Sequence, residues 1–335
     1  MNPLNNLGIT LSYDFIPHSL CNNLLKSLNE SNFTHVFIPE VWGWDALIQA
    51  TEMSKHCNLT IGTGIINLYS RSPASLAQTA ASLHEITEGR FILGLGLSGP
   101  IVIQDWHGIN YYNPSPLQRT REYLEILRLI FTGERVNYSG NIFELKRFKL
   151  SGFETPLDIP LFLAAIGPKN VRLAGELADG WFPIWTSYTE FNAPTKHLEE
   201  GIANRSPDIG TDFDIAPYII TCASDSEKAK TLAQNHLAYY IGGMGTFYFE
   251  NMKRMGFVTE AEKIRTAWIA GQREVAANFV SQDMLERMTI LGNPEYVITR
   301  YEELVKLGVT IPVVMPPYNC PPDLAMETIN AFTNL

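Results

Sequence analysis

The clearest fold signal in this chain runs from Leu59-Thr-Ile-Gly-Thr-Gly-Ile65 to Phe91-Ile-Leu-Gly-Leu-Gly-Leu97. The first run predicts a strand whose glycines mark a bulge or a close backbone approach. Ser72-Pro73 then predicts the start of a helix that continues to Glu88, with serine as N-cap and proline in the first turn. The second run is apolar on both faces, which is typical of a parallel strand buried under helices. Together they predict a βαβ unit with glycines at the C-terminal strand ends, where α/β folds bind ligands.

The rest of the chain repeats this alternation of strands and helices. Further strands are expected at Leu7 to Leu11, His35 to Pro39, Leu161 to Ala165, Trp181 to Ile184, Ile215 to Cys222 and Thr310 to Met315, and a β-hairpin around Ser139-Gly140-Asn141. Regular alternation implies a parallel sheet with right-handed crossovers. Eight such strands predict an α/β fold of the (β/α)8 TIM barrel type, with a doubly wound sheet as the alternative. Residues 224–288 predict helices, interpreted as an insertion before the last strand of one domain over residues 1–335.

The composition narrows the range of partners. The chain has 335 residues and a formal net charge of −10, which argues against nucleic acid or an anionic membrane surface. It has no apolar run of about 18 residues, the length of a membrane span, and Met1-Asn-Pro-Leu-Asn-Asn6 lacks the regions of a signal peptide. The four cysteines, Cys21, Cys57, Cys222 and Cys320, form no CxxC pair. We therefore expect a reduced, cytoplasmic protein that acts on a small molecule.

In a barrel, functional side chains collect at the C-terminal strand ends. In this chain those positions hold mainly aromatic residues, glycines and amides: Tyr13, Asp14, Glu40, Trp42, Trp44, Gly64 to Asn67, Gly96 to Gly99, Ala164 to Lys169 and Trp185 to Ser187. No histidine pair has metal-ligand spacing, so no metal site is expected. A GxSxG nucleophile elbow is absent. Gly94-Leu-Gly-Leu-Ser-Gly99 mimics a dinucleotide fingerprint, but it leads into a long loop and not into a helix.

Three short segments carry site hypotheses, and each has a plainer alternative. Gly167-Pro-Lys-Asn170 places backbone N–H groups and a lysine at a helix start, which favours a phosphate. Alternatively, the proline only starts the helix and the lysine is solvated. Trp42 and Trp44 at a strand exit either wall a flat ligand or belong to the core. Glu40 either caps the next helix or faces the pocket as a carboxylate at a bound ring, and both interpretations stay open.

Five segments carry a resemblance to a known family: Phe37-Ile-Pro-Glu-Val-Trp-Gly-Trp-Asp-Ala46, Gly62-Thr-Gly-Ile-Ile-Asn-Leu-Tyr-Ser-Arg-Ser-Pro-Ala74, Glu88-Gly-Arg-Phe-Ile-Leu-Gly-Leu-Gly96, Pro160-Leu-Phe-Leu-Ala-Ala-Ile-Gly-Pro-Lys169 and Ala174-Gly-Glu-Leu-Ala-Asp-Gly-Trp181. They resemble the bacterial luciferase-like superfamily, and within it the coenzyme F420-dependent oxidoreductases near methylenetetrahydromethanopterin reductase. The resemblance runs from about Leu7 to Ser187 and resumes near Thr289 to Met315. Some relatives carry a histidine where this chain has Val41 and a glutamate where it has Gly99-Pro100. These departures disfavour a sugar-phosphate dehydrogenase.

The resemblance implies a barrel that holds a flavin or deazaflavin ring at its C-terminal mouth. It implies a non-prolyl cis peptide at Gly64-Ile65, pressed against the ring, and Glu40 at the polar edge of the ring. The cofactor-binding residues that it implies are Glu40, Gly64, Ile65, Asn67, Gly96, Ser98, Gly99, Ala165, Ile166, Gly167, Pro168 and Lys169, the last five at the cofactor phosphate. Coenzyme F420 is the expected cofactor, with FMN as the alternative. The acidic tail of F420 needs cations, and Arg71, Lys169 and Arg172 are available.

Three functions follow from this resemblance. The first is hydride transfer between F420 and a small organic substrate, with Glu40 as a catalytic residue at the ring. The expected sources of its proton are Tyr13, Asp14, His107 and bulk water. The second is an FMN-dependent luciferase-like monooxygenase, and the third is a non-catalytic barrel that binds a flavin-like ligand. The side chains expected to line the substrate pocket are Trp42, Trp44, Trp106 and Trp185. Relatives of this type are often dimers, so a homodimer is expected.

Overall fold

The computed structural model describes residues 3–189 and 191–333. The strands are β1 (Leu7–Thr10), β2 (Phe33–Ile38), β3 (Thr60–Thr63), β4 (Ile66–Asn67), β5 (Phe91–Gly96), β6 (Val136–Ser139), β7 (Glu144–Phe148), β8 (Leu161–Ala164), β9 (Gly180–Phe182), β10 (Asp214–Ile215), β11 (Tyr218–Cys222), β12 (Thr289–Leu291) and β13 (Val313–Met315). The α-helices are α1 (His18–Leu28), α2 (Ala46–Met53), α3 (Pro73–Ile86), α4 (Pro116–Phe131), α5 (Pro168–Leu177), α6 (Asn192–Ile202), α7 (Glu227–Gly243), α8 (Thr246–Arg254), α9 (Val258–Ile269), α10 (Arg273–Asn278), α11 (Gln282–Met288), α12 (Pro294–Lys306) and α13 (Pro322–Thr333). A π-helical turn spans Val102–Trp106 and a 3-10 turn spans Pro207–Ile209.

The main sheet is parallel and curled. Its strands follow the order β10, β9, β8, β5, β3, β2, β1, β13, β11 and β12, and β4 pairs with β5. Tyr218 N–H donates to the Pro183 carbonyl at 3.0 Å, which brings the end of β9 beside β11, and β11 in turn pairs with β13. The strands β6 and β7 form a separate antiparallel hairpin. The predicted parallel α/β architecture and the predicted hairpin are therefore confirmed.

Local sequence signals explain where the main elements begin. The Ser72 hydroxyl accepts the hydrogen bond of Ser75 N–H at 3.2 Å, and Pro73 follows in the first turn of α3. Strand β5 is buried at every position, as its two-sided apolar pattern predicted. The Asp45 carboxylate accepts the N–H groups of Leu47 and Ile48 at 2.9 and 3.1 Å and so caps α2. Asp45 therefore has the capping role that Glu40 was one candidate for.

Three differences from the prediction change the number of strands. The strand expected from Leu59 to Ile65 ends early, at Thr63, and a further short strand, β4, begins at Ile66 beyond its expected end. The strand expected from Ile215 to Cys222 is split around Pro217, because proline has no N–H to donate to the neighbouring strand. Strand β12 was not predicted, because it is short and directly follows the helical pattern that ends at Met288.

The helices α7 to α11 lie between β11 and β12 and share a hydrophobic cluster of their own. Its members include Leu237, Ile264 and Met284, all fully buried or nearly so. Helix α7 ends at Gly243 and α8 begins at Thr246, so the glycine-rich segment Gly242-Gly-Met-Gly245 interrupts the helical region. Within the described ranges, no helix is both long and apolar enough to cross a lipid bilayer.

Candidate active site

A cavity of about 1050 Å³ opens at the C-terminal ends of the parallel strands. Its walls come from β4, from the segments that follow β1, β2, β3, β5, β8, β9 and β13, and from the helices α7 and α8. A cavity of this size has room for a cofactor together with a small substrate. Among the described residues, no group of three or more histidine, cysteine, aspartate and glutamate side chains could hold a metal ion.

The structure brings most of the expected cofactor residues together around this cavity. Those that line it are Glu40, Gly64, Ile65, Asn67, Gly96, Ser98, Gly99, Ile166, Gly167, Pro168 and Lys169. Asp14 and Trp42, expected for proton transfer and substrate binding, line it as well. Ala165 does not line it; its carbonyl accepts the Trp181 indole N–H at 2.9 Å, and it borders a neighbouring cavity of about 270 Å³. The residues share one site, and the role of each stays a prediction.

Gly64 and Gly96 form a part of the cavity wall that has no room for side chains. A Cβ atom on Gly64 would lie 1.7 Å from the Tyr218 hydroxyl oxygen, and one on Gly96 would lie 2.9 Å from the Ile65 side chain. The Gly64–Ile65 peptide bond is cis, as the resemblance implied. Backbone atoms therefore form this wall, and a flat ring can approach them closely.

The Glu40 carboxylate is held by the guanidinium group of Arg71. The two terminal nitrogens of Arg71 donate to the two carboxylate oxygens at 2.8 and 2.7 Å, and one of them also donates to Asp45 at 2.5 Å. The side chains of Arg71 and Glu40 are only 18% and 12% exposed. The hydrogen bond to Glu40 raises the pKa of Arg71 above its ordinary value. Arg71 is thus occupied by carboxylates, which corrects the expectation that it meets an acidic cofactor tail.

The segment before α5 has the features of an anion site. Gly167 is the N-cap of α5 without a side-chain cap, and a Cβ atom there would meet nothing within 4 Å. The first turn of α5 lines the cavity, and a helix N-terminus that faces a cavity favours a bound anion. Lys169 is exposed and has no ion pair within the part of the chain that the structure describes. Arg172 instead pairs with Glu200 at 2.5 Å and does not line the cavity, contrary to the expectation for this cation.

Two of the three expected proton donors lie outside the cavity lining. Tyr13 is buried behind the wall and its hydroxyl donates to Asn22 at 2.7 Å. Burial raises the pKa of Tyr13, so it holds its proton. His107 is exposed at the end of the π-helical turn. Asp14 does line the cavity, where one carboxylate oxygen accepts the Trp44 N–H at 2.9 Å.

Three of the four expected substrate tryptophans also lie outside the lining. Trp44 packs against the Tyr13 ring at a centroid distance of 5.5 Å. Trp106 is half exposed and stands edge to face with Trp42 at 5.1 Å. Trp185 is buried and borders the smaller cavity of about 270 Å³. Trp42 is therefore the one of the four that lines the larger cavity.

Several cavity residues were not singled out from the sequence, among them Tyr218, His236, Tyr240 and Tyr318. Tyr218 is buried, and no described residue offers its hydroxyl a hydrogen-bond partner. His236 and Tyr240 belong to α7, and Tyr318 follows β13. No motif covers α7, and the signal that could have found it is the aromatic run His236-Leu-Ala-Tyr-Tyr240.

Comparison with known proteins agrees with this architecture. A family model described as luciferase-like monooxygenase matches residues 23–310, and the chain belongs to this family. A protein assigned as a coenzyme F420-dependent oxidoreductase in Mycobacterium tuberculosis is 32% identical over 331 residues, which cover 92% of this chain and 94% of that protein. The 5,10-methylenetetrahydromethanopterin reductase of Archaeoglobus fulgidus is 33% identical over 258 residues, 75% of each chain. The solved structure of the coenzyme F420-dependent tetrahydromethanopterin reductase from Methanopyrus kandleri matches with a TM-score of 0.82 and 27% identity over 98% of both chains. The resemblance drawn from the sequence is therefore confirmed.

Proposed function

We propose that this protein is an oxidoreductase that transfers a hydride between coenzyme F420 and a small organic substrate. Relatives named for F420 or for methylenetetrahydromethanopterin reduction, which match most of the chain, support this proposal. The observation that carries it is one cavity in which glycine backbone forms a wall beside an open helix N-terminus. A flat ring fits the first feature and a phosphate fits the second.

The residues present fit this cofactor. Gly64, Ile65 and Gly96 would hold the deazaflavin ring, and Gly167 and Lys169 would hold the phosphodiester. When bound, the cofactor supplies the hydride chemistry. Two hydrogen bonds from the Arg71 guanidinium fix the orientation of the Glu40 carboxylate, which would position the polar edge of the ring. Of the expected proton sources, Asp14 and bulk water remain, because Tyr13 and His107 lie outside the cavity lining.

FMN is the alternative cofactor, and its phosphate would fit the same helix N-terminus. Cations for the acidic tail were expected to favour F420. Two of those cations are paired with carboxylates, Arg71 with Glu40 and Arg172 with Glu200. The relatives therefore support F420 more strongly than the charges of the site do.

The finer features of the fold belong to the same proposal. We infer that the curled sheet closes into a barrel of eight strands, β1, β2, β3, β5, β8, β9, the β10–β11 segment and β13. A parallel bridge between Ile184 and Tyr218 supports this closure. The helices α7 to α11 would then form an insertion in a single domain. A homodimer stays a prediction that sedimentation velocity tests.

Fluorescence titration of the cofactor-free protein with F420, and separately with FMN, tests the proposed function. We expect tight binding of F420 and weaker binding of FMN. Tight FMN binding with weak F420 binding would instead support a flavin monooxygenase, to be tested by oxygen consumption. If a ring binds but no electron acceptor oxidises its reduced form, a non-catalytic role is supported. Binding of neither cofactor would overturn the proposal.

A further inference from the structure

We infer that His236 donates a hydrogen bond to the substrate, and that the substrate is an uncharged aromatic carbonyl compound or the corresponding alcohol. This inference rests on the proposed function, because it places the substrate in the cavity that would hold the cofactor. Three features lead to it: the hydrogen bond that the His236 ring accepts from Tyr318, the aromatic rings around His236, and the position of Tyr318 relative to the strands of the sheet.

The backbone fixes which ring nitrogen of His236 carries the proton. Tyr318 N–H donates to Nδ1 at 3.0 Å, so the proton of the neutral ring is on Nε2. Burial lowers the pKa of the imidazole to about 3, so the ring is neutral at physiological pH. None of the described residues accepts a hydrogen bond from Nε2, and His236 lines the large cavity. The Nε2–H group is therefore left to donate to a ligand.

The rings that surround His236 are aromatic and uncharged. The ring centroids of Trp185 and Tyr240 lie 5.4 and 5.3 Å from that of His236, and the centroid of Tyr318 lies at 6.5 Å. Tyr240 and Tyr318 also line the cavity. Such a surface favours a flat apolar ligand with one polar atom, because a charge buried there without a partner is costly.

The sheet order places His236 away from the proposed ring site. The hydrogen-bond partner of His236, Tyr318, follows β13, whereas Gly96 ends β5. Strands β13 and β5 are separated by β1, β2 and β3, and the sheet is curled. His236 and Gly96 therefore belong to different walls of one cavity. A substrate between these walls can exchange a hydride at carbon while its oxygen accepts the His236 N–H.

This arrangement suits carbonyl reduction and its reverse. In the reduction, bound reduced F420 would supply the hydride to the carbonyl carbon, the π electron pair of the C=O bond would move to oxygen, and the oxygen would take its proton from bulk water. The products are the alcohol and oxidised F420. A neutral imidazole N–H at the oxygen stabilises the negative charge that develops there. His236 would thus orient the carbonyl group and polarise it.

Two substitutions at His236 separate the donor from the local structure. His236→Asn keeps an acceptor near the position of Nδ1 for the Tyr318 N–H and has no group at Nε2. His236→Gln places an amide nitrogen near Nε2 and so keeps a donor. Thermal unfolding of both variants checks that the fold is intact.

The probes are acetophenone and α-methylstyrene, in which a CH₂ group replaces the carbonyl oxygen. Isothermal titration calorimetry measures their Kd on the cofactor-free protein and on protein saturated with oxidised F420, which cannot reduce the ketone. We expect His236→Asn to weaken acetophenone binding about fivefold to tenfold, the range for one hydrogen bond. Binding of α-methylstyrene and of F420 should not change, and His236→Gln should restore part of the loss.

Nitrogen-15 NMR of labelled histidine gives a second measurement on the wild-type protein. Acetophenone should shift the Nε2 resonance of His236, and α-methylstyrene should leave it in place. The inference is overturned if the wild type does not bind acetophenone, if the Nε2 resonance responds equally to both probes, or if a folded Asn variant binds both probes as the wild type does. Failure of F420 to bind would overturn the proposed function instead, and the cofactor-free titrations would still test His236.

Discussion

Gly64→Ala tests the close approach between the end of β3 and Tyr218. The added Cβ atom would lie 1.7 Å from the Tyr218 hydroxyl oxygen and 2.8 Å from its Cζ atom. Tyr218 packs against Phe182 at a ring centroid distance of 5.1 Å and is buried, so it has little room to move. Overpacking of a core costs about 1–3 kcal/mol. Because the overlap is severe, we expect Gly64→Ala to lower the free energy of unfolding by about 3 kcal/mol.

Tyr218→Phe is the matching perturbation on the other side of this contact. Its hydroxyl is buried, and the described residues offer it no partner, a condition that costs about 1–3 kcal/mol. We expect Tyr218→Phe alone to leave the stability unchanged or to raise it by about 1 kcal/mol. In the Gly64→Ala background it also removes the atom at 1.7 Å and leaves the 2.8 Å contact. The double variant should therefore recover about 1–2 kcal/mol of the unfolding free energy that Gly64→Ala loses. This recovery is the coupling energy between the two neighbouring positions.

Urea unfolding of the wild type, both single variants and the double variant measures this coupling. Tyr301→Phe is the control, since the Tyr301 hydroxyl is hydrogen-bonded to Thr221 at 2.7 Å. It should cost about 1 kcal/mol and add to Gly64→Ala without coupling. Strict additivity between Gly64→Ala and Tyr218→Phe would refute the close approach. A clear loss of stability in Tyr218→Phe alone would show that the hydroxyl has a partner.

Three further substitutions test the anion site at Lys169, the ion pair between Arg71 and Glu40, and the buried His35. Lys169→Ala should weaken F420 binding about fivefold to tenfold at low salt and less at high salt, because the contact is ionic. The control is Lys146→Ala, at an exposed position on the hairpin. If Lys169→Ala leaves the F420 affinity unchanged at every salt concentration, Lys169 does not belong to the site. Arg71→Ala leaves the mostly buried Glu40 carboxylate without its partner and should lower the free energy of unfolding, measured by urea unfolding, by about 3 kcal/mol. A loss near zero would mean that water replaces the guanidinium. Burial lowers the pKa of His35 from 6.5 to about 4, so the unfolded chain binds its proton more readily and stability is lost as the pH falls from 6.5 towards 4. His35→Gln should therefore remove about 2 kcal/mol of the stability difference between pH 7 and pH 5, and an unchanged difference would contradict the neutral buried ring.

The parts of the fold that were predictable are those determined by neighbours in the sequence. Ser72 and Pro73 start α3 through contacts within one turn, and the two-sided apolar run of β5 specifies burial under helices. Glycine at positions 64 and 96 indicated a close backbone approach, and the structure shows what approaches. These features needed no knowledge of distant residues.

The features that were missed depend on contacts between residues far apart in the chain. Arg71 looked like a free cation at a strand exit, yet its partner Glu40 is 31 positions away on another exit. His236 looked like one of several dispersed histidines, yet its tautomer is fixed by a backbone N–H 82 positions away. Charge and tautomer at a site are set by such pairings, and a single sequence does not display them.

The two walls of the cavity also differ in whether nearby or distant residues in the sequence determine them. The proposed cofactor wall consists of backbone at Gly64, Gly96 and Gly167, and backbone geometry leaves a local mark in the sequence as glycine. The opposite wall consists of side chains from α7 and from the segment after β13, and their contacts join residues far apart in the chain. The proposed cofactor wall is therefore easier to recognise in the sequence than the proposed substrate wall. It follows that substitutions at His236 should change substrate binding at constant F420 affinity, whereas Gly96→Ala, whose Cβ would meet Ile65 at 2.9 Å, should weaken F420 binding first.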